Sequence, residues 1–258
     1  MSVFELSWRG GSTEKRLHRR RPGADDFPWG TLDLATVAPE IADEARKVWT
    51  NGVFTEYASA AAFASLTTAL LECGAPVDLS AMSADIVVDE LFHVEISSRL
   101  TTELGGAVPL DFDLAKISPL TTPGARPILR AAELAITTSC VSETLSVPAM
   151  ARSRAMATHP LVRAVLDRLL ADEGPHARLG WWFLDWAAEE LTNEERTKLA
   201  ELAQSTIDVY APLWNEDECG ACPIPIGLGG HDAIGREALR RAVTTNIQTP
   251  LARYGIEI

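Results

Sequence analysis

Positive charge is in short supply in this sequence. Its 23 Lys and Arg face 36 Asp and Glu, for a formal net charge of −13 at pH 7. A chain of that sign repels phosphate backbones and anionic headgroups, so neither nucleic acid nor a membrane is expected as a partner. Long apolar runs are missing too: none approaches the ~20 residues that a membrane-crossing helix needs. The four cysteines in 258 residues are too few for a disulfide framework, and a reducing cytoplasm is the expected compartment. The opening segment MSVFELSWRGG lacks a basic stretch leading into an apolar core, so no signal peptide is expected. There is almost no strand signal, no short repeat and no low-complexity segment. Hydrophobic residues make up 47% and charged residues 23%, the balance of a globular chain that buries a core without staples.

The apolar residues recur at helical spacing from Pro39 onward. Residues 1–38 read as an irregular, solvated arm. It holds the basic run Lys15, Arg16, Arg19, Arg20 and Arg21 and is packed by Phe4, Trp8 and Trp29; a docking arm for an acidic partner is the alternative reading. Helices are expected over about 39–73, 78–105, 127–157 and 160–191, with Gly74, Gly105 and Pro160 as punctuation. Pro148 is expected to bend the third. Residues 106–126, rich in Pro, Thr and Gly, are too long for a tight turn and read as a crossover or a functional loop. Thr192 and Glu195 form a capping box for a fifth helix, and a sixth runs from about 232 to 254. The chain thus divides into an arm (1–38), a four-helix region (39–191) and a C-terminal helical extension (192–258).

Two motifs carry the chemistry: Asp89-Glu90-Leu91-Phe92-His93 and Asp172-Glu173-Gly174-Pro175-His176. On a helix, residues three apart lie about 60° apart, so Glu and His share one face and offer one oxygen and one nitrogen ligand. Apolar neighbours flank both motifs: Ile86, Val87 and Val94 around Glu90, and Leu166, Leu169 and Leu170 around Glu173. A carboxylate inside an apolar stripe is costly unless it is paired or binds metal. The other two helices each carry one such acid, Glu56 among Val53, Ala60 and Phe63, and Glu143 among Ile136, Cys140 and Val147. Glu56, Glu90, His93, Glu143, Glu173 and His176 therefore make a six-ligand set able to hold two divalent ions with a near two-fold relation. Carboxylate and imidazole donors without thiolate suit iron or manganese.

This arrangement, Glu…Asp-Glu-x-x-His…Glu…Asp-Glu-x-x-His on four helices, resembles the ferritin-like di-iron carboxylate proteins over roughly residues 39–190. The resemblance implies an all-α, ferritin-like four-helix bundle with an N-terminal arm and two additional C-terminal helices. It also implies two iron ions (Mn/Fe or Mn/Mn as alternatives), with O2 as co-substrate. Asp89 and Asp172 would hydrogen-bond ligand histidines and fix their tautomers. Within the family, the tyrosine of radical-forming subunits is replaced here by Ser97, and the extra glutamate of rubrerythrin-type peroxidases by Ser146. The ligand spacings of 34, 53 and 30 residues are similar to those of arylamine N-oxygenases, whose additional His falls at Leu169. The expected function is a dinuclear non-haem iron oxidase or oxygenase acting on a small organic substrate. Its electrons come from an external donor or reductase, and it is expected to be a homodimer. The alternative is a ferroxidase or peroxide-reducing protein without organic substrate.

Further residues carry secondary expectations. Ala60, Ser139 and Cys140 are small enough to leave a substrate pocket beside the metals. Pro175 should kink or bulge the fourth helix at the metal. Glu95 and Arg178 read as surface charges, and Trp181, Trp182, Phe183 and Trp186 as core and edge packing. Cys219 and Cys222 read as two free loop thiols, with a redox pair as the alternative and His231 as the only nearby candidate for a further ligand.

Overall fold

The computed structural model describes residues 2–4, 6–215, 227–230 and 232–258. Among them the structure is all helix, with two isolated bridges (Ser2–Leu110 and Ala157–Gly227) and no strand. Four long rods form its body. Helix α2 (Pro39–Glu72) begins with proline at its first turn, where the missing N–H costs nothing. It ends at Gly74, whose φ of 70° lets the Ala75 N–H reach back to the Leu70 carbonyl (2.9 Å) and its own N–H to Leu71 (3.3 Å). Helix α3 (Val77–Glu103) follows at once, so α2 and α3 form a tight hairpin.

The third rod is continuous but not uniform: α4 (Pro127–Leu134), a π-helical stretch (Ala135–Glu143) and α5 (Thr144–Met156). Pro148 lies inside α5, and the helix continues past it. The fourth rod is α6 (Pro160–Ala187), capped by the His159 ring, which accepts the Leu161 N–H. The third rod packs along α6, α3 also packs on α6, and α2 on α4. Beyond them, α7 (Asn193–Tyr210) starts with the expected Thr192–Glu195 capping box and lies on the π-helical stretch. The last rod is α8 (Ala233–Ala242), a second π stretch (Val243–Gln248) and α9 (Thr249–Ala252), with α8 against α5. No helix among the described residues is long and apolar enough to cross a membrane.

The arm departs from expectation. It contains a helix, α1 (Gly11–Arg20), which buries no residue of its own but sits against α3. Phe4 is buried among Phe54, Tyr57 and Phe112, Trp29 lies under the Arg99 guanidinium, and Trp8 stays exposed.

Two apolar cores fill the rods. One gathers Phe63, Leu66, Ile86, Ile136, Leu145 and Leu179; the other gathers Trp49, Phe92, Ile96, Leu100, Leu166 and Leu169. Helices α2, α3 and α6 pass from one core to the other, and the residues at each crossing are the acids and histidines singled out by sequence. The site is a polar layer at the seam of two cores, held by burial on both sides.

Candidate metal centre

All six predicted ligands converge. Glu56 comes from α2, Glu90 and His93 from α3, Glu143 from the end of the π-helical stretch, and Glu173 and His176 from α6. Their donor atoms form two overlapping groups, each with all atoms within 4.8 Å of one another: Glu56, Glu90, His93 and Glu173, and Glu90, Glu143, Glu173 and His176. Glu90 and Glu173 belong to both. His93 Nδ1 lies 3.5 Å from Glu56 Oε2, 3.6 Å from Glu90 Oε2 and 3.6 Å from Glu173 Oε1. His176 Nδ1 lies 3.0 Å from Glu90 Oε1 and 3.5 Å from Glu173 Oε2. Each imidazole therefore turns Nδ1 into the cluster.

The outward nitrogens meet the two motif aspartates crosswise. His93 Nε2 is 3.2 Å from Asp172 Oδ2, while His176 Nε2 is 3.5 Å from Asp89 Oδ2, a longer contact without hydrogen-bond alignment. Behind each aspartate stands an arginine. Arg168, one turn earlier on α6, donates to Asp172 at 2.6 Å. Arg21, just after α1, pairs with Asp89 and donates to the Asp85 carbonyl at 3.0 Å. Serines brace the opposite face: Ser59 Oγ donates to Glu143 Oε1 at 2.7 Å, and Ser146 Oγ lies 3.3 Å from Glu173 Oε2.

Left to one another, these groups share protons, and burial is the largest influence on each, opposing charge of either sign. Burial pushes Glu56 up to about 7, against the pull of His93. Burial, then the Glu173 carboxylate, holds Glu143 well above the ordinary carboxyl range. Burial would lower both imidazoles, but surrounding carboxylates prevail. His93 is raised well above its ordinary value by Asp172, Glu56 and Glu90, and His176 is pushed up to about 12 by Asp89, Glu173 and Glu90. Burial would raise Glu90, Asp89 and Asp172, yet the histidines hold all three below the usual range, helped at the aspartates by Arg21 and Arg168.

The residues fit a pair of divalent ions. Glu90, His93 and His176 are fully buried, and both Glu90 oxygens and both Nδ1 atoms lack a hydrogen-bond partner. Buried unpaired donors and acceptors cost free energy, and cations between them would satisfy all four atoms at once. Oxygen and imidazole nitrogen donors suit iron or manganese, and no cysteine joins either group among the described residues. Comparisons with family models, with curated proteins and with solved structures find no match to this chain.

A cavity of about 640 Å³ opens onto the cluster, and its floor is Glu56, Glu143 and Glu173. It does not lie where the small residues pointed. Ala60 is buried in packing, and Ser139 and Cys140 serve a close approach of the third rod to α6. A Cβ at Gly180 would meet Cys140 Sγ at 2.6 Å and the Ala135 carbonyl at 2.8 Å. The Ser139 hydroxyl sits within α6's own ladder, donating to the His176 carbonyl at 2.5 Å and accepting the Gly180 N–H at 2.7 Å. The cavity opens instead beside Ser59 and Ala62 of α2 and Ser142 and Ser146 of the third rod.

Other expectations are corrected as well. Helix α6 stays α-helical through Pro175; the π-helical irregularity is in the opposite rod, ending at Glu143. Glu95 is no surface charge: it is buried and meets His18 of α1 at 3.0 Å. The aromatic run on α6 keeps to core and edge as expected: Phe183 is buried, Trp181 packs against the core, and Trp182 and Trp186 are exposed; none lines the cavity. Cys219, Cys222 and His231 lie outside the described residues. Sequence reasoning missed Arg21, Arg168, Ser59 and the π-helical stretch. Only Arg168, four residues before Asp172, had a local signal, the helical i,i+4 spacing.

Proposed function

We propose that this chain is a ferritin-like four-helix di-metal oxidoreductase, with two iron ions as the first candidates, using O2 to oxidise a small organic substrate. One observation carries the reading: two four-ligand groups share Glu90 and Glu173, and a cavity large enough for an organic molecule opens on their carboxylates. When bound, the two ions would supply the redox chemistry and the binding of O2. The residues do the rest. Glu90 and Glu173 would be held in common by the two ions, and Glu56 and Glu143 would each serve one. His93 presents Nδ1 to the cluster because Asp172 engages its Nε2, and Asp89 faces the Nε2 of His176 at 3.5 Å. Ser59 fixes the Glu143 carboxylate at the cavity wall. The two apolar cores above and below keep water from those two faces, which strengthens the charge interactions of the buried groups. Electrons would come from an external donor or reductase, and a homodimer is the proposed assembly.

A ferroxidase offers the same ligands but needs no organic-sized cavity. The separating experiment loads the protein anaerobically with Fe(II), admits O2, and follows oxygen uptake together with iron retention. The oxygenase reading predicts that iron stays bound and that oxygen uptake continues only with added reductant. Stoichiometric iron oxidation, with ferric product leaving into a large multi-subunit shell, would overturn it.

A further inference from the structure

The cavity and the charge balance of the centre together narrow the substrate class, an inference that rests on the di-metal reading. Four carboxylates from Glu56, Glu90, Glu143 and Glu173 would be cancelled by two divalent ions, with both imidazoles bound as neutral ligands. The remaining wall brings no charge of its own: among the described residues no Lys, Arg or His lines the cavity, and its only acids are three of those ligands. Thr55, Thr137, Thr138, Ser142 and Thr206 also line it; the hydroxyls of Thr55, Thr137, Ser142 and Thr206 donate to carbonyls of their own helices, which leaves their oxygens to accept. Apolar side chains complete the lining, among them Ile117, Pro119, Met150, Val209 and Leu213.

The π-helical stretch arranges part of this wall. Its wider turn relates residue i to i+5, which sets Thr137 and Ser142 one above the other; the Ser142 hydroxyl donates to the Thr137 carbonyl at 2.8 Å. A charged group of either sign lying along this wall, away from the metal floor, would have to shed its water without meeting a counter-charge. An uncharged molecule pays none of that and finds hydroxyl partners. We propose that the cavity binds uncharged, largely apolar organic molecules bearing one or two hydrogen-bonding groups, and rejects carboxylates, phosphate esters and ammonium compounds.

Three probes of one shape test this: 2-naphthol, 2-naphthoate and 2-naphthylmethylammonium, titrated calorimetrically into full-length protein loaded with Mn(II) at pH 7. Metal per chain is measured on the same sample, and no turnover is needed. 2-Naphthol is expected to bind at least about tenfold more tightly than either ion, consistent with the cost of an unpaired buried charge. Ala62→Phe is expected to abolish naphthol binding while two ions per chain remain. Thr206→Lys, which adds a counter-charge to the wall, is expected to make 2-naphthoate the preferred probe. Equal or tighter binding of a charged probe to the unaltered protein would overturn the proposal. So would the absence of naphthol binding, or naphthol binding that Ala62→Phe leaves unchanged, provided two ions are bound. Fewer than two ions per chain would instead overturn the di-metal reading on which it stands.

Discussion

At the scale of single residues, the cluster divides into shared and private members. Glu90 and Glu173 stand in both four-ligand groups, whereas Glu56 and His93 stand in one and Glu143 and His176 in the other. Glu90→Ala or Glu173→Ala should therefore lose both ions, and Glu56→Ala or Glu143→Ala one ion each, as read by elemental analysis of purified protein. Asp172→Ala should weaken binding on the His93 side by about 10–100-fold, the usual cost of removing a hydrogen-bond partner behind a metal-bound histidine. The clustering of these six residues was legible because each is an acid or histidine set among apolar neighbours, a placement that needs a reason, and because Glu and His sit three apart on one helix. Their braces were not. Ser59 meets Glu143 across 84 positions and Arg21 meets Asp89 across 68, and helical periodicity says nothing about which surfaces of distant elements will face each other.

At the scale of elements, two departures from regular structure position the site. The π-helical stretch ends at Glu143, and Gly180 lets the third rod approach α6 one turn beyond His176. Gly180→Ala should push these rods apart and destabilise the protein by about 1–3 kcal/mol, the typical cost of overpacking, which thermal denaturation would show as a fall of several degrees. The four long rods and the α7 capping box were legible from apolar period, proline starts and glycine stops. The π-helical stretch was not, because no residue in Ala135–Glu143 differs from what an ordinary helix tolerates. Pro175 pointed to a bulge in α6, where the helix stays α-helical. The arm was misread as merely solvated because its basic run is mostly exposed, although His18 and Arg21 turn inward to Glu95 and Asp89. Arg21→Ala should lower metal affinity on the His176 side several-fold and spare the His93 side, where Arg168 supports Asp172. A stepwise metal titration separates the two. Equal loss at both sides would show that the arm acts only by holding the fold together.

At the scale of the whole molecule, the buried layer links stability to pH and metal. Glu56 keeps its proton up to about pH 7 in the folded chain, against an ordinary value of 4.5. Its contribution to stability is thus complete below pH 4.5 and lost as pH rises through 7. His176 works in the same direction over a higher range, complete below 6.5 and lost as pH climbs toward about 12. Chelator-treated protein should therefore show a falling Tm between pH 5 and 8. Protein loaded with divalent ions, which displace those protons, should show no such fall. The most direct test of the account is metal per chain, measured by elemental analysis on protein produced with iron and manganese both present, beside Glu90→Ala prepared in the same way. The account predicts close to two iron or manganese ions per chain, lost together in the variant. Zero or one ion, or zinc alone, even after anaerobic loading with Fe(II), would contradict it and leave a helical protein whose buried acids and histidines pair only with one another.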